Sequence, residues 1–375
     1  MNQEKLDEQY MNRAIELAQT AVGWTNPNPM VGAVIVKDGQ IIAEGCHERY
    51  GQLHAERNAL AHLTEDAGGA TMYVTLEPCC HYGKQPPCTQ AVIEAGIKRV
   101  VVGSDDPNPL VAGKGLQQLK DAGIEVVTGV CKEACDAINY VFFHYIKTKT
   151  PYVVMKFAQT LDGKIATKTG ASQWITGDAA RERVHQDRHR YAAIMVGIKT
   201  VLADDPMLNC RIENGHDPIR IVCDSHLRIP PEAKLVQTAK EIPLIVATLE
   251  STKNDSFSKV QALEAAGVEV LGVGEIDGRI DLRELMRKLG EKKIDSVLLE
   301  GGGTLNWSAM QQGIVNRVQA YIAPKLFGGA DARSPVEGEG VSLPDEAMQL
   351  EHTTIQKIGD DYLLEGEVKD VYRNR

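Results

Sequence analysis

HAERNALAHL (residues 54–63) and TMYVTLEPCCHYGKQPPC (residues 71–88) decide how this chain reads. The first opens with a histidine and a glutamate two positions apart and continues with helical periodicity. The second is an apolar strand, residues 71–76, that runs into a loop dense in Cys, His, Gly and Pro. Pro86 and Pro87 then precede a helical stretch, CTQAVIEAG, because proline suits a helix's first turn. Upstream, residues 7–22 read as a helix with Ile15 and Ala18 among its apolar positions. VGAVIV (31–36), a Lys-Asp-Gly turn and IIAEG (41–45) read as a β-hairpin. Downstream come a strand, RVVVGS (99–104), a helix, GLQQLKDAG, and a strand, IEVVTG (124–129). Strands alternating with helices indicate an α/β sheet with helices on its faces.

A long amphipathic stretch, 132–148, ends at Lys-Thr-Lys-Thr-Pro151. It sets the expected boundary between a domain of residues 1–149 and another of residues 150–375. Alternation then restarts with strands at 152–158, 192–198, 219–225, 243–248, 268–273 and 296–302. Helices are expected over 178–190 and 282–293, and TTIQKIGDDYLLEGEV reads as a closing hairpin. The length of 375 residues fits two domains.

The composition narrows the function. A formal charge of −10 gives no general pull on nucleic acid or anionic membrane. No apolar run reaches the roughly 18–20 residues that span a bilayer. The N-terminus, MNQEKLDEQY, is polar and does not read as a signal peptide. A cytoplasmic protein is therefore expected. Its eight cysteines read as metal ligands or buried thiols, not disulfides.

His54, Cys79 and Cys88 carry the donor types of a zinc site, and the H-x-E…P-C…C order is that of zinc deaminases. Neutral histidine and two thiolates balance the Zn²⁺ charge, and three protein ligands leave a position for water. The activated water would attack an amidine-like ring carbon, with Glu56 moving protons. Residues i and i+2 point to different sides of a helix, so His54 and Glu56 can converge only where a helix begins. Cys79 and Cys88 lie at the entry to the next helix, which favours thiolate. The cysteines are nine positions apart in number, with eight residues between them, where the general pattern has two. The competing reading is a structural zinc site, for which Cys46, His47, Cys80 or His81 would supply a fourth ligand. Cys131 and Cys135 read as core.

In the second domain, Glu300-Gly301-Gly302-Gly303-Thr304 follows an apolar strand and opens a helix, where backbone N–H groups can approach a phosphate. A tight turn is the simpler alternative. RERVHQDRHR reads mostly as a solvated helix face, with one or two arginines able to grip a phosphate in bidentate fashion. The residues alone support a nucleotide or sugar-phosphate domain.

Taken together, NPNPMVGAVIV, HAE, TLEPCCHYGKQPPC, KFAQTLDGKIA, GASQWIT, VLADDPMLNCR and EGGGTL closely resemble the bifunctional riboflavin-biosynthesis deaminase–reductases. The resemblance covers nearly the whole chain, and the long cysteine spacing is part of it. It implies an α/β protein with an N-terminal cytidine-deaminase-like α/β/α domain and a C-terminal dihydrofolate-reductase-like α/β domain. It implies one Zn²⁺ per chain, NADPH, a pyrimidine ribotide substrate and a homo-oligomer. Asn28, His47, His81 and Lys84 would line the deaminase pocket. Ser172, Arg188, Leu208 and Arg211 would contact the reductase substrate, with Lys156 and Glu300 near the reacting sugar carbon. Ala158, Trp174, Thr200, Asp204, Ser225, Gly302, Gly303 and Thr304 would contact NADPH. Lys156 would donate a proton or stabilise charge. Two rivals stand beside this reading. One is a nucleobase deaminase acting on nucleic acid, which an acidic chain with 5% aromatic residues does not suit. The other is a deaminase whose second domain only binds nucleotide.

Overall fold

The computed structural model describes residues 2–82, 85–109 and 111–369. The central strands of the N-terminal part are buried on both faces because helices cover both. In chain order this part contains α1 (Gln3–Gln19), β1 (Gly32–Lys37), β2 (Gln40–Cys46), α2 (Ala55–Ala61) and β3 (Thr71–Leu76). It continues with α3 (Cys88–Glu94), β4 (Arg99–Ser104), α4 (Lys114–Asp121), β5 (Glu125–Thr128), α5 (Lys132–Ile138) and α6 (Tyr140–Thr148). The sheet order is β2-β1-β3-β4-β5. β1 runs antiparallel to both neighbours, and β3, β4 and β5 are parallel. Strand alternation divides the core: Ala33, Ile35, Met72, Val74, Val100 and Val102 pack with α2, α3 and α4. Val34, Val36, Tyr73 and Val101 pack with α1 and Cys135 of α5 on the other face.

The stretch 132–148 is two helices, not one. The Asn139 side chain pairs with the Met30 backbone through both its amide atoms, at 2.9 Å each, and Asn139 itself leaves the helical conformation at φ −115°, ψ 17°. Elsewhere in this part the expected strands and helices appear with ends displaced by a few residues. The opening helix, expected at 7–22, starts at Gln3 and ends at Gln19.

The remainder contains β6 (Tyr152–Thr160), α7 (Asp178–Arg190), β7 (Ala193–Gly197), α8 (Ile198–Asp204), β8 (Ile219–Cys223) and α9 (Lys234–Gln237). Then come β9 (Leu244–Leu249), α10 (Glu250–Asp255), α11 (Phe257–Ala265), β10 (Val268–Val273), β11 (Glu275–Ile276) and β12 (Arg279–Ile280). It closes with α12 (Leu282–Glu291), β13 (Ser296–Leu299), α13 (Gly303–Gln311), β14 (Arg317–Ala323), β15 (Leu350–Ile358) and β16 (Asp361–Val368). The main sheet has the order β10-β9-β8-β7-β13-β6-β14-β16-β15. Its first seven strands are mutually parallel, and β15–β16 form the expected antiparallel hairpin. β14 was not expected; in RVQAYIA two of the first three residues are polar, which hides a strand that pairs with β6. Parallel strands collect loops at their C-terminal ends, the usual place for ligands in such sheets. The contacts divide the chain into two units, Met1–Lys149 and Thr150–Arg375. Among the described residues no helix is long and apolar enough to cross a membrane.

Helix α2 lies against β2 at Gly45, where an added Cβ would overlap the Ala59 backbone nitrogen. Overpacking of this kind costs about 1–3 kcal/mol. Gly45→Ala is therefore expected to lower the denaturant midpoint of the first unit; an unchanged midpoint would show that α2 shifts at no cost.

Candidate functional site

In the first unit, α2 begins at Ala55 and His54 stands before it as the extended N-cap residue, with φ −70° and ψ 159°. That break lets the His54 and Glu56 side chains serve one site. Cys79 follows β3, and Cys88 is the first residue of α3. His54 Nδ1 lies 3.4 Å from Cys79 Sγ and 3.5 Å from Cys88 Sγ. Tetrahedral zinc, with nitrogen and sulfur ligands at about 2.05 and 2.3 Å, sets those ligands roughly 3.5 Å apart. The three side chains thus fit the metal. Among the described residues they are the group of His, Cys and carboxylate side chains arranged to hold an ion.

The thiols are already tuned as a pair. Hydrogen bonds from Cys88 and His54 pull the Cys79 thiol down from its ordinary value. The Cys88 backbone N–H also donates to Cys79 Sγ, at 3.4 Å. Cys88, which gives its side-chain hydrogen bond to Cys79 and is buried, is held well up. Glu56 is 3% exposed. Burial, reinforced by the Cys79 charge, pushes its carboxyl up to about 7.

None of the four candidates for a fourth ligand joins the group. His47 is engaged at both ring nitrogens. Nδ1 lies 2.9 Å from the Leu53 carbonyl, which can only accept, and Nε2 lies 3.1 Å from Asn28 Nδ2. Burial lowers the His47 pKa, which suits the neutral ring. Asn28 and His47 are thus brought together, and the His47 ring meets His54 edge-on at 5.5 Å. His81 Nδ1 is buried without a hydrogen-bond partner among the described residues. Lys84 lies outside the described residues.

The sequence reading missed two residues that shape this site. Arg57, next to Glu56, donates from Nε to the Pro86 carbonyl at 3.1 Å and from a terminal nitrogen to the Pro87 carbonyl at 2.8 Å. It fastens the loop that brings Cys88 back to the helix that follows His54. The buried Glu77 carboxylate accepts from the backbone N–H groups of Gly113, Gly115 and Leu116 at 3.0–3.3 Å. An acid immediately before Pro78-Cys79 was a signal for Glu77; Arg57 gave none, because its partners are carbonyls.

In the second unit, β13 pairs in parallel with β6, with Leu299 opposite Met155. Glu300 therefore falls beside Lys156, at 3.7 Å. Arg188 of α7 clasps Glu300 with Nε at 2.9 Å and a terminal nitrogen at 3.0 Å. Burial alone would raise the Glu300 pKa, but the Arg188 and Lys156 cations outweigh it and bring it to about 2. Burial lowers the Lys156 pKa despite the Glu300 charge. The Lys156 ammonium also lies 5.7 Å from the centre of the Tyr321 ring.

The α7 reading is corrected in part. Asp187 and His189 are buried, so the helix is not mainly a solvated face. The bidentate fork of Arg188 is spent on Glu300, because a buried carboxylate needs a partner. Its remaining nitrogen donates to the Asn209 carbonyl at 3.1 Å. Arg211 joins the same neighbourhood through the Asn209 side-chain oxygen, at 3.3 Å. Leu208 takes a positive φ of 53°, and its buried side chain packs in the core.

A cavity of about 450 Å³ lies at the C-terminal ends of β7, β8 and β13. Thr200, Asp204, Ser225, Gly302, Gly303 and Thr304 all line it, and so does Ser172, expected with the substrate. Gly303 is required there, because a Cβ would run into the Ser334 carbonyl oxygen as well as the Glu337 side chain. Thr304 donates to that carboxylate at 3.2 Å. The volume and the glycine turn at the start of α13 fit a phosphate-bearing cofactor. Ala158 and Trp174 are not among the lining residues. Ala158 packs against the cluster around Tyr321, and Trp174 is 61% exposed, with the Arg181 guanidinium 4.5 Å from its ring centre.

The two units thus define a zinc-binding deaminase joined to a second α/β enzyme unit. Residues 4–104 match the cytidine and deoxycytidylate deaminase zinc-binding region, and residues 151–364 match the RibD C-terminal domain. The riboflavin biosynthesis protein RibD of Actinobacillus pleuropneumoniae is 58% identical over 359 residues, 96% of this chain and 94% of that protein. RibD of Escherichia coli is 42% identical over 371 residues, 96% of this chain and 98% of its own. Among solved structures, RibD of Acinetobacter baumannii superposes with a TM-score of 0.88 at 38% identity, covering 98% of this chain and all of that one. A diaminohydroxyphosphoribosylaminopyrimidine deaminase/5-amino-6-(5-phosphoribosylamino)uracil reductase from Thermotoga maritima gives 0.86 at 37% identity, with the same coverage. The chain belongs to the RibD family, the bifunctional deaminase–reductases of riboflavin biosynthesis. Its first domain carries the deaminase zinc-binding region, and its second is the family's reductase domain.

Supporting residues around a metal site are worth about 10–100-fold in metal affinity. Arg57→Ala is expected to weaken zinc retention against a chelator within that range. Retention equal to the parent's would show that the 86–87 loop holds itself.

Proposed function

We propose that the first unit deaminates 2,5-diamino-6-ribosylamino-4(3H)-pyrimidinone 5′-phosphate and that the second reduces the ribosyl group of the product to ribityl. The product would be 5-amino-6-ribitylaminouracil 5′-phosphate. The observation that carries the first step is the convergence of His54, Cys79 and Cys88 beside a buried glutamate. Held by those three residues, zinc supplies a Lewis acid that makes water nucleophilic near neutral pH. Glu56 takes the water's proton and delivers it to the departing amine, so one C–N bond is exchanged for C–O and ammonia leaves. Asn28 and the neutral His47 orient the ring or sugar. His81 contacts the substrate from the Cys79 loop, and Lys84 meets its phosphate.

In the second unit, NADPH supplies the hydride. The residues of this chain aim the sugar's C1′ and provide the proton that the opening ring oxygen takes up. Lys156 is the donor we favour, because it is buried and charged beside a carboxylate that stays ionised. Glu300 orients Lys156, and Arg188 orients Glu300. Arg188, Glu300, Arg211, Ser172 and Leu208 contact the ribotide. Thr200, Asp204, Ser225 and the Gly302–Thr304 turn hold the cofactor in the cavity, with Ala158 and Trp174 at its margins. Eight free cysteines suit a reducing, cytoplasmic setting. The enzyme would work there as a homo-oligomer.

Product mass spectrometry on zinc-loaded protein tests both steps. The diaminopyrimidinone ribotide should exchange amine for oxo without NADPH, then gain a hydride and a proton when NADPH is added. Exchange without reduction would leave the second unit as a nucleotide-binding domain. No exchange by folded, zinc-loaded protein would overturn the substrate. Glu56→Gln should lower deamination by at least about 100-fold, the usual scale of general acid–base catalysis, with zinc content unchanged. Removing zinc by chelation should abolish deamination while reduction of the already deaminated ribotide continues; loss of both would place zinc in the second site as well.

A further inference from the structure

Three buried polar side chains stand on one face of the second unit's sheet, and the reduction as proposed uses none of them. Gln319, Tyr321 and Asp187 are all nearly inaccessible to solvent. Parallel pairing sets β14 against β6 with Gln319 opposite Lys156 and Tyr321 opposite Ala158. Residues paired in this way share a face, and so do residues two apart on a strand. Lys156, Gln319 and Tyr321 therefore point the same way. Helix α7 covers that face, with Ala180 and Val184 packed with Tyr321. Asp187 of α7, one residue before Arg188, accepts from the Tyr321 hydroxyl at 3.5 Å.

The Lys156 ammonium stands 5.7 Å from the centre of the Tyr321 ring. That is inside the roughly 6 Å over which an aromatic face attracts a cation. The ion pair of Lys156 with Glu300 is long, at 3.7 Å. A lysine ammonium is a point charge on a flexible four-carbon stem. One carboxylate sets its distance and leaves its direction free; a ring on a second side removes that freedom.

We propose that Tyr321 is a positioning residue of the reductase, its ring holding the Lys156 ammonium toward the reacting sugar carbon and Asp187 holding the ring. This rests on the reading of Lys156 as the proton donor. Packing at position 321 needs only an apolar side chain, but the hydroxyl here ends on an acid. Burial brings the Asp187 carboxyl up to about 6, so it is ionised at neutral pH. Burial, and then the Asp187 charge, holds the Tyr321 phenol protonated as the donor. A phenol that donates to a carboxylate moves electron density into its ring, which strengthens the ring's hold on a cation. The other Asp187 oxygen lies 3.8 Å from Arg183 Nε, which keeps the carboxylate in place.

Four groups act on the ammonium: Glu300 after β13, Asp187 and Arg188 on α7, and Tyr321 on β14. Burial and Arg188 favour the neutral amine, whereas Glu300 and Asp187 favour the charged form. The ring adds to the second pair. The basic limb of the reduction, where Lys156 loses its proton, therefore lies at higher pH with the ring than without it.

Reduction of the deaminated ribotide by NADPH, followed against pH, tests this. Lys156→Gln comes first. Reduction at the parental rate would sink the reading of Lys156 as donor, and the proposal with it, before any Tyr321 variant is made. Tyr321→Phe keeps the ring, loses the tie to Asp187, and should stay within about threefold of the parent in kcat. Phenylalanine with one and then three ring fluorines at position 321 keeps nearly the same size and drains the ring's negative face. The basic limb should then move down in steps, by roughly 3–30-fold in the proton affinity of Lys156, with KM for NADPH unchanged. Tyr321→Leu should place the limb with the most fluorinated ring, whatever it loses in stability. A limb that stays put across the fluorine series would overturn the proposal, because packing depends on shape and not on ring charge. A loss in Tyr321→Phe as large as in Tyr321→Leu would also overturn it, because the hydroxyl and not the ring would then be acting.

Discussion

A helix that begins one residue after His54 is the constraint on which the first unit depends. Had α2 started a turn earlier, His54 and Glu56 would point about 200° apart, at 3.6 residues per turn. The N-cap position gives His54 an extended backbone and leaves Glu56 in the first turn. The rest of the unit keeps that start in place. Gly45 lets α2 lie against β2, Ala55 and Ala59 bury its inner face, and Arg57 ties its first turn to the loop before Cys88. The long loop between Cys79 and Cys88 is tolerated because closure entropy grows slowly with length, and because the Arg57 side chain holds its end.

In the second unit, parallel pairing plays the corresponding part. β6, β13 and β7 deliver Lys156, Glu300 and Thr200 to one edge because their registers are fixed by backbone hydrogen bonds. None of these residues is close to the others in sequence. A one-residue slip of β13 would turn Glu300 to the other face, leaving Lys156 without its anion.

The residues displayed what is local and hid what is assembled. The zinc ligands and Glu56 were legible because each residue type is required by the chemistry and the residues sit in two recognisable stretches, His54-Ala55-Glu56 and Pro78–Cys88. The central strands of both sheets, β14 apart, were legible because double burial makes them continuous apolar runs such as YVVM and VVVG. The break at Asn139 was hidden because it depends on Met30, more than a hundred residues away. β14 was hidden by its polar positions; Gln319 reaches Glu365 of β16 at 2.8 Å. Arg188 illustrates the same limit. Its sequence context suggested a phosphate grip, whereas the fold supplies a buried carboxylate that takes its fork first. The family resemblance named most of the second site's residues, and the structure gathered seven of those expected around the cofactor and substrate into one cavity.

Glu56 and Glu300 show how environment divides labour between identical side chains. Both are buried, and burial raises both. Burial and the Cys79 charge raise Glu56 above the usual carboxylate range. Glu300 faces two cations, which overturn the burial effect and hold it near 2. It stays ionised at neutral pH, 3.7 Å from the Lys156 ammonium. A hydrolytic exchange needs a group that changes protonation during the reaction. A hydride transfer needs fixed charges around a reacting carbon, with a proton donor kept ready. One residue type is thus buried in two opposite electrostatic settings, beside a thiol charge in the first unit and between two cations in the second.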